Sequence, residues 1–265
     1  MQPVYWMQFN IYLTQLYRQK FIIVQSLLIS FFILFTSASM IAPPGSKDLL
    51  KKMHDRYAGK WYKTLTFNQT TEFYRNDSLK RSETWYENIK FPADFRIDFG
   101  NPDSGNAVIF KNDSSYVFRR GQKTTLKPDE NDLLFLLGGM YFYQFDEVTA
   151  KMKSFGYDLN KFHEDTWKGK DVYVIGAGKG EDSVNQLWIE KENYSPVRML
   201  KYENKNKEEA FFENHVKLGG GYTETLVHFF INDKLVQVEK YHGLKAGAPI
   251  NSDIFDTGNF TRLKL

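Results

Sequence analysis

From Trp61 onward, apolar and polar positions alternate with a period of two. Trp61, Leu65, Phe67 and Phe73 share one parity; Thr64, Thr66, Asn68, Thr70 and Glu72 share the other. That alternation marks a strand with one buried face. Positions 94–99 repeat it, with Phe95, Ile97 and Phe99 set against Asp94, Arg96 and Asp98. Further strands are expected at 83–91, 107–111 and 115–119, and again at 172–176, 186–191, 197–203, 210–218, 222–232 and 235–241. Turn residues separate them at Asn76-Asp77, Gly100-Asn101-Pro102, Asn112-Asp113, Gly121, 205–207 and 219–221. Short strands at this spacing form hairpins within one antiparallel sheet.

Other stretches carry a helical period. Positions 47–57 put Leu49, Leu50 and Met53 on one face, with Ser46 as the expected cap and Gly59 just past the end. Mid-chain, Asn131-Asp132 can cap a short helix through Leu133, Leu134, Phe135, Leu136 and Leu137, stopped by Gly138-Gly139. A second helix is expected at 147–155, ended by Gly156. The fold class is therefore mainly β (α+β): a large antiparallel sheet with an N-terminal helix and a helical insertion, forming a single domain over 47–265.

The N-terminus follows a different logic. Arg18 and Lys20 precede an apolar run at 21–35, and Thr36-Ser37-Ala38-Ser39 follows with small residues. A basic start, a short apolar run and a small-residue end are the parts of a secretory signal. Positions 1–39 are expected to be a signal peptide cleaved after Ala38 or Ser39, and 40–46 a linker. The alternative is an uncleaved anchor, but the run is shorter than the ~20 residues a spanning helix needs.

Composition narrows the chemistry. The 265 residues contain no cysteine, which excludes disulfides, thiolate metal sites and a cysteine nucleophile. The 35 basic and 32 acidic residues nearly balance and form no concentrated basic stripe, so nucleic acid is not an expected partner. Aromatics make up 17% of the chain, enough to fill a β-rich core.

Three stretches carry a resemblance. Trp85-Tyr86-Glu87 is followed by Phe91-Pro92-Ala93-Asp94-Phe95-Arg96-Ile97-Asp98. Gln186-Leu187-Trp188-Ile189-Glu190-Lys191 is followed by Ser195-Pro196-Val197-Arg198. Pro249-Ile250-Asn251-Ser252-Asp253-Ile254-Phe255 lies near the end. Their order resembles that in the LolA-like family of periplasmic lipoprotein-sorting proteins, across roughly 47–256, nearly the whole expected mature chain. The resemblance implies a strongly curved, incomplete β-barrel whose apolar hollow is covered by helices and takes lipid or acyl groups. It also implies membrane proteins of the envelope as further partners. On that reading Trp61, Leu65, Phe67, Phe73, Phe95, Ile97 and Phe99 line the hollow. Leu133, Leu134, Leu136, Leu137 and Met140 form a lid, the alternative being an ordinary core helix.

Other chemistry is weakly supported. The glycine-rich stretch at 172–180 resembles a dinucleotide loop but is not followed by a helical pattern, so a hairpin turn is expected. His54, His163, His215, His228 and His242 show no metal-ligand spacing, and no Gly-x-Ser-x-Gly elbow is present. No catalytic residue, metal or cofactor is expected. Three functions remain: a periplasmic carrier of lipid or acylated lipoprotein for outer-membrane sorting; an envelope regulator or sensor of the same fold that binds a membrane protein; and an exported hydrolase.

Overall fold

The computed structural model describes residues 45–203 and 206–263. These fall within one unit, Pro43–Leu265. The expected signal peptide, its cleavage site and nearly all of the linker lie outside the described residues. Among those described, no helix is long and apolar enough to cross a membrane.

The alternating segments pair into one sheet of thirteen antiparallel strands. The first half is a meander: β1 (Thr64–Arg75), β2 (Ser78–Lys90), β3 (Asp94–Phe99), β4 (Ala107–Lys111), β5 (Ser114–Arg119) and β6 (Gln122–Pro128). The second half comprises β7 (Phe162–Trp167), β8 (Lys170–Ile175), β9 (Gln186–Glu190), β10 (Pro196–Glu203) and β11 (Asn206–Glu213). A separate ribbon, β12 (Val216–Leu218) with β13 (Gly221–Thr223), leads to β14 (Leu226–Ile231) and β15 (Lys234–Ala246). The spatial order is β6-β5-β4-β3-β2-β1-β15-β14-β11-β10-β9-β8-β7. The β1–β15 pairing joins the halves, and β6 and β7 remain unpaired edges, so the barrel is incomplete.

Turn chemistry sets several registers. Asn76-Asp77, Asn112-Asp113 and Asn232-Asp233 each hold both residues at positive φ. Two-residue hairpin turns require that conformation, and Asn and Asp tolerate it. The glycine-rich stretch lies in the β8–β9 connection of an antiparallel pair, with no helix behind it.

The structure corrects the sequence reading in places. β6 and β7 were not expected. β6 is exposed along its whole length, Leu126 included, so it lacks the alternation that reveals a strand, and its lysines and Pro128 suit an edge. The expected strands at 210–218 and 222–232 are each broken, because Asn214 turns at φ 54° and the β12–β13 ribbon leaves the main sheet.

Three α-helices lie among the described residues: α1 (Ser46–Tyr57), α2 (Asp132–Leu136) and α3 (Phe145–Ser154). Ser46 does not cap α1. It is buried within the helix and its hydroxyl donates to the Lys161 carbonyl at 2.6 Å. Asn131 does cap α2, its Oδ1 accepting the Leu134 N–H at 2.8 Å. α3 starts earlier than expected, with Glu147 reaching back to accept the Gln144 N–H at 2.9 Å. Leu49, Leu50 and Met53 of α1, Phe135 and Leu136 of α2, and Val148 and Met152 of α3 pack on Ile175, Leu187, Ile189, Met199 and Phe212. The helices thus fill the inner face over the second half of the sheet.

The outer face carries a clamp. Arg96 is fully buried and bonds both carboxyl oxygens of Asp98 at 2.7 Å. It also donates to the carbonyls of Ile254 (2.8 Å) and Thr261 (2.7 Å) and lies 4.7 Å from the Phe260 ring centre. Ile254 and Phe255 bury against Ile109 and Phe118. The Arg96-Ile97-Asp98 stretch and the closing 249–255 stretch therefore meet through one guanidinium, which straps the C-terminal segment across β3–β5.

Candidate functional site

Where the packed helices run out, a cavity of about 340 Å³ remains between the inner face and α2. Its apolar wall comes from Leu65 and Phe67 of β1, Ile89 of β2, Phe95 and Ile97 of β3 and Phe110 of β4, with Phe91 beside them. Strand pairing aligns these side chains: Leu65 faces Ile89, Ile89 faces Phe95, and Phe95 faces Phe110. β11, β14 and β15 close the far side with Phe212, Phe229 and Tyr241. The Phe67 and Tyr241 rings pack at 4.4 Å.

The expected wall residues divide. Leu65, Phe67, Phe95 and Ile97 line this cavity. Phe73 and Phe99 do not; with Trp85 they line a separate, wider depression further along the strands. Trp61 lies before β1 and acts as a wedge. A Cβ on Gly138 or Gly221 would stand 2.5 Å from its indole, so only glycines let the end of the α2 segment and β13 close on it.

The expected lid divides too. Leu133, Leu134 and Leu137 line the cavity. Leu136 and Met140 do not, and with Phe135 they anchor the segment in the main core. The helix lies over the cavity on one side and packs as core on the other.

The sequence reading missed the polar part of the wall. Glu87 of β2, Glu224 between β13 and β14, and Glu239 of β15 all line the cavity, with Thr223, Gln237 and Asn131. Glu239 accepts from Gln237 Nε2 at 2.6 Å and from the Tyr241 hydroxyl at 2.9 Å. Burial, then repulsion from Glu239 and Glu224, holds the Glu87 carboxyl well above its ordinary range. Burial, with a push from Glu239, raises Glu224 to about 7. Burial also raises Glu239, against the pull of its hydrogen bonds. One signal was present in the sequence: Glu87 sits at the inward parity of β2, between Trp85 and Ile89.

The histidines are dispersed. His54 Nε2 meets the Tyr143 carbonyl and His163 Nδ1 the Ala177 carbonyl, each at 2.9 Å, while His228 Nδ1 lies 2.8 Å from Glu213. Among the described residues no His, Cys, Asp or Glu group is arranged to hold a metal.

No family model and no curated protein matches the sequence. Solved structures do match the fold. A DUF1329 family protein from Desulfovibrio piger has a TM-score of 0.57 at 15% identity, covering 82% of this chain and 98% of that one. A domain described as an outer membrane lipoprotein-sorting protein, from Vibrio parahaemolyticus, has a TM-score of 0.55 at 11% identity, covering 81% and 97%. A LolA superfamily protein from Nitrosomonas europaea has a TM-score of 0.51 at 15% identity, covering 80% and 97%. At these identities the likeness concerns architecture, and this chain has the LolA-like fold, an incomplete antiparallel barrel covered by helices.

Proposed function

We propose that this chain is an exported carrier that holds lipid, or the acyl groups of a lipoprotein, in the cavity beneath α2. The observation that carries this reading is the cavity itself: a mostly apolar space of about 340 Å³, at the small end of ligand pockets, roofed by a short helix. An apolar hollow of this kind is normally covered or filled. The expected signal at 1–39 places the work outside the cytoplasm, and envelope membrane proteins are the proposed partners for loading and unloading.

The magnitudes suit a carrier. At about 30 Å³ per water-sized unit, the cavity has room for about eleven such units, and a chain methylene is of similar size. Each buried CH₂ contributes ~0.8 kcal/mol, so about ten contribute about 8 kcal/mol before the cost of association, which makes a micromolar dissociation constant the tight limit. That is firm enough to hold a chain in transit and weak enough to release it.

The test is mass spectrometry of lipids retained by gently purified protein, with titration of a fluorescent acyl probe. Co-purifying acylated molecules and saturable micromolar binding are expected. Absence of bound lipid, together with no probe binding at micromolar concentration, would refute the carrier reading.

A further inference from the structure

The carboxylates in the cavity wall have nothing of opposite sign to meet them. Glu87, Glu224 and Glu239 are 6%, 5% and 8% exposed, and no Lys, Arg or His lines the cavity with them. Glu239 is partnered by Gln237 and Tyr241. The Glu87 carboxyl has no hydrogen-bond partner among the described residues. That of Glu224 is met only by its own backbone amide. Gln69, which contacts Glu239, has a buried Oε1 that is also unpaired.

Buried polar atoms in native proteins are almost always satisfied, so unpaired ones need an explanation. Here the Glu87 and Glu224 carboxyls line the cavity, and once ionised they, like the buried and unpaired Gln69 Oε1, can only accept, so the shortage is of donors. A bare metal ion does not supply it, since these side chains do not converge as a coordination site. A donor that arrives on the ligand does.

We infer that the cavity takes an amphiphile whose aliphatic chain carries a protonated amine, with Glu87, Glu224 and Glu239 receiving the amine and Leu65, Phe67, Ile89, Phe95 and Ile97 the chain. This rests on the carrier reading and narrows its ligand class. An ammonium offers three N–H donors and a full charge, and charge-assisted hydrogen bonds are the strong ones. The chain buries against the apolar side while the amine meets the acids on the other.

The inference has a pH signature. Burial keeps part of the cluster protonated near neutrality, Glu224 at about 7. As pH rises through that value the acids ionise, while an alkylamine, with a pKa of roughly 10, keeps its proton. Amine binding therefore strengthens between roughly pH 6.5 and 8. The neighbouring titratable groups do not interfere. Burial raises Tyr241 and Tyr62, which stay neutral. Burial lowers His215, which shares an adjoining small pocket with Glu224 and Tyr57, Tyr141, Tyr194 and Tyr222, so it too is neutral in this window.

The experiment compares dodecylamine with dodecanol, below micelle-forming concentration, as competitors of a neutral fluorescent acyl probe. It uses the protein as it accumulates in the cell, alongside Glu87→Gln and Glu224→Gln. Dodecylamine should bind at least about tenfold tighter than dodecanol at pH 8, the worth of one charge-assisted hydrogen bond, with the preference shrinking at pH 6.5. Each variant should lose most of the preference for dodecylamine over dodecanol. Equal binding of the two probes by the unmodified protein overturns the inference while leaving the carrier reading intact. So does a preference that survives both substitutions. Displacement by neither compound, with no binding of the acyl probe itself, defeats the carrier reading and this inference with it.

Discussion

Glu224→Gln should make the protein more stable at pH 8 and flatten its dependence of stability on pH. Burial raises the Glu224 carboxyl from 4.5 to about 7. An acid whose pKa rises on folding contributes stability that is fully present below its unfolded value. That contribution is lost as pH climbs through the folded value, here about 7. The span is about 2.5 units, and ~1.36 kcal/mol per unit makes about 3 kcal/mol, most of it lost between roughly pH 5 and 8. The buried Glu87 and Glu239 shift in the same direction, so the unmodified protein should lose more than this one group accounts for. Glutamine keeps the shape and cannot ionise. Urea unfolding at four pH values across that range, analysed by linear extrapolation, reads the difference directly. The two proteins should be similar near pH 5 and diverge by about 2–3 kcal/mol by pH 8. Parallel profiles would refute the reasoning, because they would mean that Glu224 is solvated in the folded protein.

Arg96→Met should cost about 3–5 kcal/mol by leaving Asp98 buried without its partner, with faster proteolysis of the 249–263 segment. Arg96→Met combined with Asp98→Leu should recover only the part of the loss that comes from the unpaired Asp98, because the Ile254 and Thr261 carbonyls still lack their donor. Unfolding midpoints of the single and double variants check both. Ile97→Glu should weaken acyl-probe binding by placing a charge in the cavity wall. Leu133→Glu should alter uptake and release of the probe with little change in melting temperature, whereas Leu136→Glu, at an anchoring position 2% exposed, should lower it sharply; equal melting losses would mean the roof is only core. Gly221→Ala should destabilise strongly, because its Cβ would stand 2.5 Å from the Trp61 ring; an unchanged melting temperature would show that Trp61 is not a fixed wedge.

Local structure was legible where side chains repeat with a period. β3 and β4 have their expected bounds, and the Asn-Asp turns sit where their chemistry calls for positive φ. Four of the seven wall residues, Leu65, Phe67, Phe95 and Ile97, line the cavity because parity alone decides which face a strand residue takes. Parity cannot say how far along that face a cavity extends, so Phe73 and Phe99 were grouped with it. Edge strand β6 was invisible because nothing in it is buried.

The sequence by itself thus determined the strand-rich class, the inner and outer faces of its clearest strands and the apolar mid-chain helix, all of which depend on neighbours a few residues apart. The tertiary structure decided the rest. Pairing of β1 with β15 brings Thr71 opposite Glu239 and Gln69 opposite Tyr241, and Phe67 faces Glu87 on the other side of β1. That closure places Glu87, Glu224 and Glu239 around one cavity. Apart from the inward parity of Glu87, nothing marks the three out among the chain's 32 acidic residues. What sets them apart is desolvation and one another's charge, and both exist only after distant strands have met.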